Sequence, residues 1–475
     1  MNLPRPLLAA TAALAASLAI APTSAADTPR TSPPLAVQLT LLAPTGRYDV
    51  GTVSLHLVDR MRQDPYWSTP HPRELMVSLW YPAEGKTRSA WSRQQPNHWP
   101  RAPWMTPAAL AEFRPALEHD LENTPSPIGN PPPGGPPPGG PPPGGPPPGG
   151  GVPIPGPTPT SDLDISLENV AFPFTDARRG VPVAHCGFQF PVVLYSPAFT
   201  NGRELGTMLV EDLASRGYIV VAISHTYDSR VVEFPGGRVE LGRGLEDLPN
   251  VTDPINREGH LVQGIRVADA RFVIDKLAEL AADLNPDAEN HPLPAGLHRA
   301  LDMTRVGMFG HSMGGGATAH VLAQDDRVVA GIDLDGSILP LSGLSATPGE
   351  DTAKLAAIAR LVGARPFMAM TSSKSPQEAG ALLNGFYSNL SGYRRLASVV
   401  GAVHQDFEDS RSLYRQLVDA SVIPSRLLIG TLAPARSVAI ERAYIASFFD
   451  LWLKHLDNHF LDGNSARYPE VALYF

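Results

Sequence analysis

Apolar positions along this chain repeat with two periods, and the order of those periods predicts the architecture. Val53-Ser54-Leu55-His56-Leu57 and the stretch Leu75 to Tyr81 alternate in the manner of antiparallel strands, and Pro107 to His119 fits a short helix. From Pro191 onward the pattern becomes strand then helix, repeated. Pro191 to Ser196 reads as a buried strand, and Leu205 to Arg216 as a helix with apolar residues at 205, 208, 209 and 213, stopped by Gly217. Tyr218 to Ser224 is the next strand. A helix from about Val262 to Leu280 sets Ile265, Ala268, Phe272, Val273, Leu277 and Leu280 on one side. Arg305 to Phe309 reads as a strand and Ala317 to Ala323 as a helix, followed by strands at Val328–Leu334, Pro366–Thr371 and Arg394–Val400 and a closing helix at Ser437–His455. Such alternation predicts an α/β fold, a mostly parallel central sheet with helices on both faces and chemistry in the loops at the carboxyl ends of the strands.

Two segments stand outside this pattern. Arg5 precedes an apolar run from Leu7 to Ala21, and Ser24-Ala25-Ala26 supplies small residues, so residues 1–26 are expected to be a secretory signal peptide and the protein to be secreted. Fifteen apolar residues ended by Pro22 are too few for a membrane span, and no later stretch qualifies. Residues 131–150 are four copies of Pro-Pro-Pro-Gly-Gly, whose five-residue period excludes collagen, which needs glycine at every third place. With its flanks, 124–160 is expected to be a Pro/Gly-rich disordered insert within one domain spanning 27–475.

Composition narrows the function classes. A net charge of −9 without clustered bases argues against nucleic acid or an anionic membrane as an electrostatic partner. Cys186 is the single cysteine, so no internal disulfide can form, and the expectation is a buried small hydrophobe. The sequence shows no His-Glu-x-x-His, Cys/His metal cluster, phosphate loop or dinucleotide fingerprint, so no cofactor is implied. Phe234-Pro235-Gly236-Gly237-Arg238 reads as a hairpin turn.

The chemistry concentrates at Gly310-His311-Ser312-Met313-Gly314, a G-x-S-x-G motif between a strand and a helix. Glycines on both sides leave room for a strained turn that lifts the serine above the sheet edge. A serine hydroxyl is a weak nucleophile at neutral pH and needs a histidine base oriented by an acid, in the order serine, acid, histidine in this sheet type. His404, in Val403-His404-Gln405-Asp406-Phe407 after the last predicted parallel strand, is the candidate base. His320, His455 and His459 read as packing or surface residues. Ile332-Asp333-Leu334-Asp335-Gly336 offers two acids at a strand end. Asp335 lies further out and is the candidate triad acid, while Asp333 would be a buried or capping carboxylate. The oxyanion needs preorganised donors: the Met313 amide is one, and in Ser196-Pro197-Ala198-Phe199 the Phe199 amide is the second choice, with Ala198 next, because Pro197 has no N–H. His225 either lines the pocket or is a satisfied structural residue.

These segments resemble the plasma-type platelet-activating factor acetylhydrolases and their bacterial relatives among the α/β-hydrolases. The likeness runs through Leu79-Trp80-Tyr81-Pro82-Ala83, Val193-Leu194-Tyr195-Ser196, Asp212 to Val220, Gly310 to Gly315, Gly331 to Asp335 and Val403 to Phe407. It implies a triad of Ser312, Asp335 and His404, oxyanion amides from Phe199 and Met313, and a secreted serine esterase that removes a short acyl chain, such as the sn-2 acetyl group of a glycerophospholipid. The implied partner is a small ester or phospholipid, met free or at a lipid interface. Two departures qualify it. Pro197-Ala198 stands where the family commonly has His-Gly, and Met313 to Gly316 is also similar to actinobacterial cutinases and polyester hydrolases, which carry a C-terminal disulfide that this chain cannot form. A cutinase-like or lipase activity is the alternative, and a non-catalytic extracellular binding module is a third reading. Expressed with its own N-terminus in a secreting host, the protein recovered from the medium should begin at Asp27. Recovery of an intact Met1 terminus in the cell fraction alone would contradict the signal-peptide expectation.

Overall fold

In the computed structural model, residues 37–84, 99–123, 165–243, 263–342, 345, 348–372, 380–427 and 430–475 are described. The expected signal peptide and the Pro-Pro-Pro-Gly-Gly repeats lie outside them. Eleven strands form one sheet. In chain order they are β1 Asp49–Gln63, β2 Pro72–Ala83, β3 Arg101–Pro103, β4 Phe174–Arg179, β5 Phe190–Ser196 and β6 Ile219–Ser224. They continue as β7 Leu301–His311, β8 Val328–Leu334, β9 Phe367–Ser372, β10 Arg394–Val399 and β11 Val471–Tyr474. The spatial order is β11-β10-β9-β8-β7-β5-β6-β2-β1-β4-β3. The block from β10 to β6 is parallel throughout, β2 runs antiparallel to both β6 and β1, β4 pairs parallel with β1, and β11 runs antiparallel to β10.

Nine helices are described: α1 Pro107–Asn123, α2 Thr207–Ser215, α3 Gln263–Ala281, α4 Leu297–Ala300, α5 Met313–Gln324, α6 Pro348–Val362, α7 Gly380–Tyr387, α8 Asp409–Asp419 and α9 Pro434–Leu453. Strand alternation divides the core into two layers. Val192 and Leu194 of β5, with Ile219, Val221 and Ile223 of β6, join the cluster that includes Val273, Leu277, Ala317 and Val321. Val193, Tyr195, Val220 and Ala222 point the other way, into the cluster that includes Leu213, Ile445, Phe448 and Phe449. Both faces of these strands are therefore buried, which is why they read as near-continuous apolar runs. Among the described residues no helix is long and apolar enough to cross a membrane.

Several expectations are revised. The 262–280 helix buries a face made of Ile265, Arg266, Val267, Asp269, Ala270, Val273, Ile274, Leu277 and Leu280, with Ala268 and Phe272 only half-buried. The periodicity reading passed over Arg266 and Asp269 because charges ordinarily face water. Helices α6 and α8 and the edge strand β11 were not expected from periodicity. Cys186 is half-buried, its sulfur 3.6 Å from the Tyr48 hydroxyl, so it is a margin residue and not an enclosed one. The Phe234–Arg238 turn does join a hairpin, Val231–Glu233 with Val239–Leu241, and both Gly236 and Gly237 adopt positive φ.

The chain moves from β5 outward to β6 on one side, and β7 lies on the other side of β5. The crevice at the carboxyl ends of β5 and β7 is thus a topological switch point, where open α/β sheets bind ligands.

Candidate active site

Ser312 follows the last residue of β7 and precedes the first residue of α5, with φ 56° and ψ −119°. A positive φ at a non-glycine residue is costly and persists only where the surroundings hold it. Here the Ser312 amide donates to the Leu334 carbonyl at 2.9 Å, and its own carbonyl receives the Gly316 amide at 3.1 Å. The flanking glycines are required by contact. A Cβ on Gly314 would lie 2.0 Å from the Ser196 carbonyl oxygen, and one on Gly310 would lie 2.4 Å from the Gly314 oxygen. The elbow is pressed onto the end of β5 with no space for side chains.

Asp335 follows β8 with φ 50°, and its amide donates to the Met370 carbonyl at 2.7 Å. Its carboxylate takes His404 Nδ1 at 2.7 Å, the Ser372 amide at 2.8 Å and the Ser372 hydroxyl at 2.9 Å. Burial works to raise this acid, but the hydrogen bonds from His404 and the Ser372 amide outweigh it and hold the carboxyl below its ordinary value. His404, after β10, therefore carries its hydrogen on Nδ1 and keeps the Nε2 lone pair open, with the side chain 45 % exposed. The His311 ring, beside the serine in sequence, lies against the His404 ring at 4.6 Å between centroids. Acid and base are joined and the base lies over the elbow. Among the described residues the Ser312 hydroxyl itself takes no hydrogen-bond partner, and such contacts commonly tighten only when substrate is bound.

The two acids of β8 have opposite environments. Asp333 is 1 % exposed, and one oxygen accepts the Gly336 amide at 2.8 Å. Burial first, and repulsion from Asp335 second, push its carboxyl up to about 8. A Cβ on Gly315 would lie 1.8 Å from Asp333 Oδ1, so this neutral acid fills the space behind the elbow helix.

Phe199 and Ala198 lie in the loop after β5, and Met313 opens α5. His225 is fully buried, between Ser196 Oγ and Asp269 at 2.9 Å each, and so has the structural role. His320 is buried with Nε2 2.7 Å from the Leu339 carbonyl. Asp406 accepts the Val403 amide at 2.7 Å and shapes the turn that carries His404. Sequence reasoning missed Ser372. Its place as the last residue of a parallel strand ending beside Asp335 was the available signal.

Cavity size does not locate the site. Two cavities of about 530 and 540 Å³, one beside Tyr48 and Trp99 and the other beside Arg442 and Tyr468, touch none of Ser312, Asp335 or His404. Among the described residues Asp287, Glu289 and His291 have metal-compatible spacing, but Asp287 already accepts the His56 amide at 2.9 Å and His291 Nδ1 at 2.8 Å. What marks the site is the convergence of four parallel strand ends, those of β5, β7, β8 and β10.

The sheet, the serine elbow and the acid–histidine pair define the α/β-hydrolase class. Residues 294–423 match the family model described as platelet-activating factor acetylhydrolase, isoform II. The probable 1-alkyl-2-acetylglycerophosphocholine esterase of Arthroderma benhamiae is 25% identical over 293 residues, covering 59% of this chain and 65% of its own. The platelet-activating factor acetylhydrolase of Canis lupus familiaris is 23% identical over 238 residues, covering 47% and 49%. The chain thus spans about half to two thirds of the length of these curated relatives. Among solved structures, a ferulic acid esterase from Streptomyces cinnamoneus is similar with a TM-score of 0.61 and 29% identity, covering 93% of this chain and 100% of that one.

Asp333 generates a stability prediction. Its folded value of about 8 exceeds the ordinary 3.8, so the folded state binds the extra proton between them. Stability present at low pH is lost progressively as pH rises from about 4 to about 8. Asp333→Asn removes that slope, so the variant should gain stability relative to the parent as pH rises across this window. Urea midpoints measured from pH 5 to pH 8 check it, and parallel curves would contradict it.

Proposed function

We propose that this chain is a carboxylic-ester hydrolase working through an acyl-enzyme on Ser312. The 2.7 Å pair of Asp335 and His404, held at the same sheet edge as the elbow serine, carries this reading. His404 Nε2 takes the Ser312 proton as the hydroxyl oxygen attacks the ester carbonyl. Asp335 holds the Nδ1–H tautomer and stabilises the imidazolium that forms. The amides of Met313 and Phe199 receive the oxyanion. Collapse expels the alcohol, which takes the proton from His404. Water then attacks the acyl-enzyme with the same base, releasing the acid and restoring the serine.

The family supports a short acyl group on a glycerophospholipid-like alcohol as substrate, and the residue 1–26 pattern supports action outside the cell. A second reading rests on a separate observation. The ferulic acid esterase superposes on 93% of this chain at 29% identity, which supports a wider ester range including aryl or polymeric esters as the alternative.

Purified protein should hydrolyse nitrophenyl acetate. Ser312→Ala and His404→Ala should each abolish turnover, and Asp335→Asn should lower kcat roughly 10³- to 10⁴-fold, the usual scale for losing the orienting acid. A Ser312→Ala protein as active as the parent would refute the mechanism. On a panel of 2-acetyl phospholipid, long-acyl phospholipid, methyl ferulate and polyester film, kcat/KM should be highest for the acetyl lipid. A preference for the ferulate or the film would establish the second reading in its place.

A further inference from the structure

A buried polar network lies beneath the loop that follows β5. Arg266 of α3 has no exposed surface, and its guanidinium ends on five acceptors. Nε and Nη2 donate to the two Asp228 carboxylate oxygens at 2.6 and 2.7 Å. The remaining directions reach the Ser196 hydroxyl at 3.2 Å, the Ala198 carbonyl at 3.0 Å and the Pro197 carbonyl at close range. A guanidinium keeps its charge and offers five donors in a fixed plane, so each acceptor is held in direction as well as distance.

A second chain of contacts braces the first. The Ser196 hydroxyl donates to His225 Nε2 at 2.9 Å, and His225 Nδ1–H donates to Asp269 at 2.9 Å. Arg73 donates to Asp269 at 2.7 Å, and Arg62 also pairs with it. Serine, histidine and aspartate here imitate a catalytic order, yet all three are fully buried, so no ester reaches that hydroxyl. The group is scaffolding for the loop.

The loop geometry follows from peptide planarity. In a trans peptide the C=O and the next N–H point in opposite directions. With the Pro197 and Ala198 carbonyls drawn toward Arg266, the amides of Ala198 and Phe199 are directed away from α3. No described residue accepts either amide. The same loop abuts the elbow, since a Cβ on Gly314 would lie 2.0 Å from the Ser196 oxygen and 2.7 Å from the Pro197 oxygen.

We propose that Arg266, locked by Asp228, is a positioning residue that sets the Pro197–Ala198 and Ala198–Phe199 peptide planes so that their amides receive the substrate oxyanion above Ser312. This rests on the ester-hydrolase reading. Arg266 touches no substrate. It fixes the direction of donors that a loop with Pro197-Ala198 has no side chain of its own to hold.

The test uses Arg266→Lys and Asp228→Asn in the full-length protein, with nitrophenyl acetate as substrate and a trifluoromethyl ketone whose hemiketal oxyanion occupies the same donors. Losing a preorganised oxyanion donor costs on the order of a hundredfold in turnover. Arg266→Lys should therefore lower kcat by roughly ten- to a hundredfold, with KM nearly unchanged and ketone affinity falling by the same factor. Asp228→Asn should move both quantities in the same direction by a smaller factor. A purely structural role would lower the melting temperature and the fraction of active protein while leaving kcat per burst-titrated site and ketone affinity at parental values, and that result overturns the proposal. Should Arg266→Lys fail to fold, Asp228→Asn decides by the same criterion. An inactive parent, or a Ser312→Ala protein equal to it, overturns the ester-hydrolase reading and this one with it. That outcome is separate because it is seen before either network variant is measured.

Discussion

The candidate site depends on one contact between backbones, that of the Ser312 elbow against the end of β5. At Gly314 not even a methyl group fits, since it would meet the Ser196 carbonyl oxygen at 2.0 Å. That closeness fixes where the serine stands relative to the loop carrying Ala198 and Phe199, and both features lie at the switch point of the sheet. The candidate nucleophile and the loop proposed to supply the oxyanion donors are thereby located by main-chain packing, which side-chain motion cannot loosen. The positive φ of Ser312 is the local cost, of order 1 to 3 kcal/mol for such conformations, and the Leu334 and Gly316 hydrogen bonds hold it in place.

The same compression separates the tasks of two acids only two residues apart. Asp333 faces the elbow glycines, away from water, and keeps its proton because a charge there would have no partner beyond the Gly336 amide. Asp335, turned outward by its positive φ, collects donors from Ser372 and His404 and stays ionised. One environment favours the neutral form and the other the charged form, so the pair cannot exchange roles. A neutral Asp333 also spares His404 a second negative charge nearby, leaving Asp335 as the carboxylate that orients it.

Much of this was legible in the chain. Alternating apolar runs gave the parallel block, because strands buried on both faces must be apolar throughout, and Gly310 and Gly314 around Ser312 announced a turn that only glycines permit. Asp335 and His404 were found because parallel strands force their functional loops to one edge. Three things were not read. Helices α6 and α8 were passed over, although α6 carries Leu355, Ile358, Ala359 and Val362 at helical spacing and α8 is amphipathic. The Ser372 contribution depends on β9 lying beside β8, which is a property of strand order and not of local pattern. Arg266 and Asp269 lie within the same face of α3 as Ile265, Val273, Leu277 and Leu280, but a rule that sends charges to water passes over them and cannot foresee a network that neutralises them inside.

That last failure is itself informative. Burying Arg266, Arg73, Asp228 and Asp269 beneath one loop costs desolvation that apolar residues of similar volume would not incur, so such a cluster is weak evidence for stability alone. What apolar side chains could not supply is direction. A flat surface of leucines would support the loop at the right height but leave its peptide planes free to turn, whereas a guanidinium with two carbonyls and a carboxylate in its plane allows one orientation. The choice of charge over oil beneath residues 196–199 is therefore explained if the loop's amides have a task that depends on their angle. Receiving an oxyanion is such a task, because donors act there only when they already face the oxygen as its charge develops.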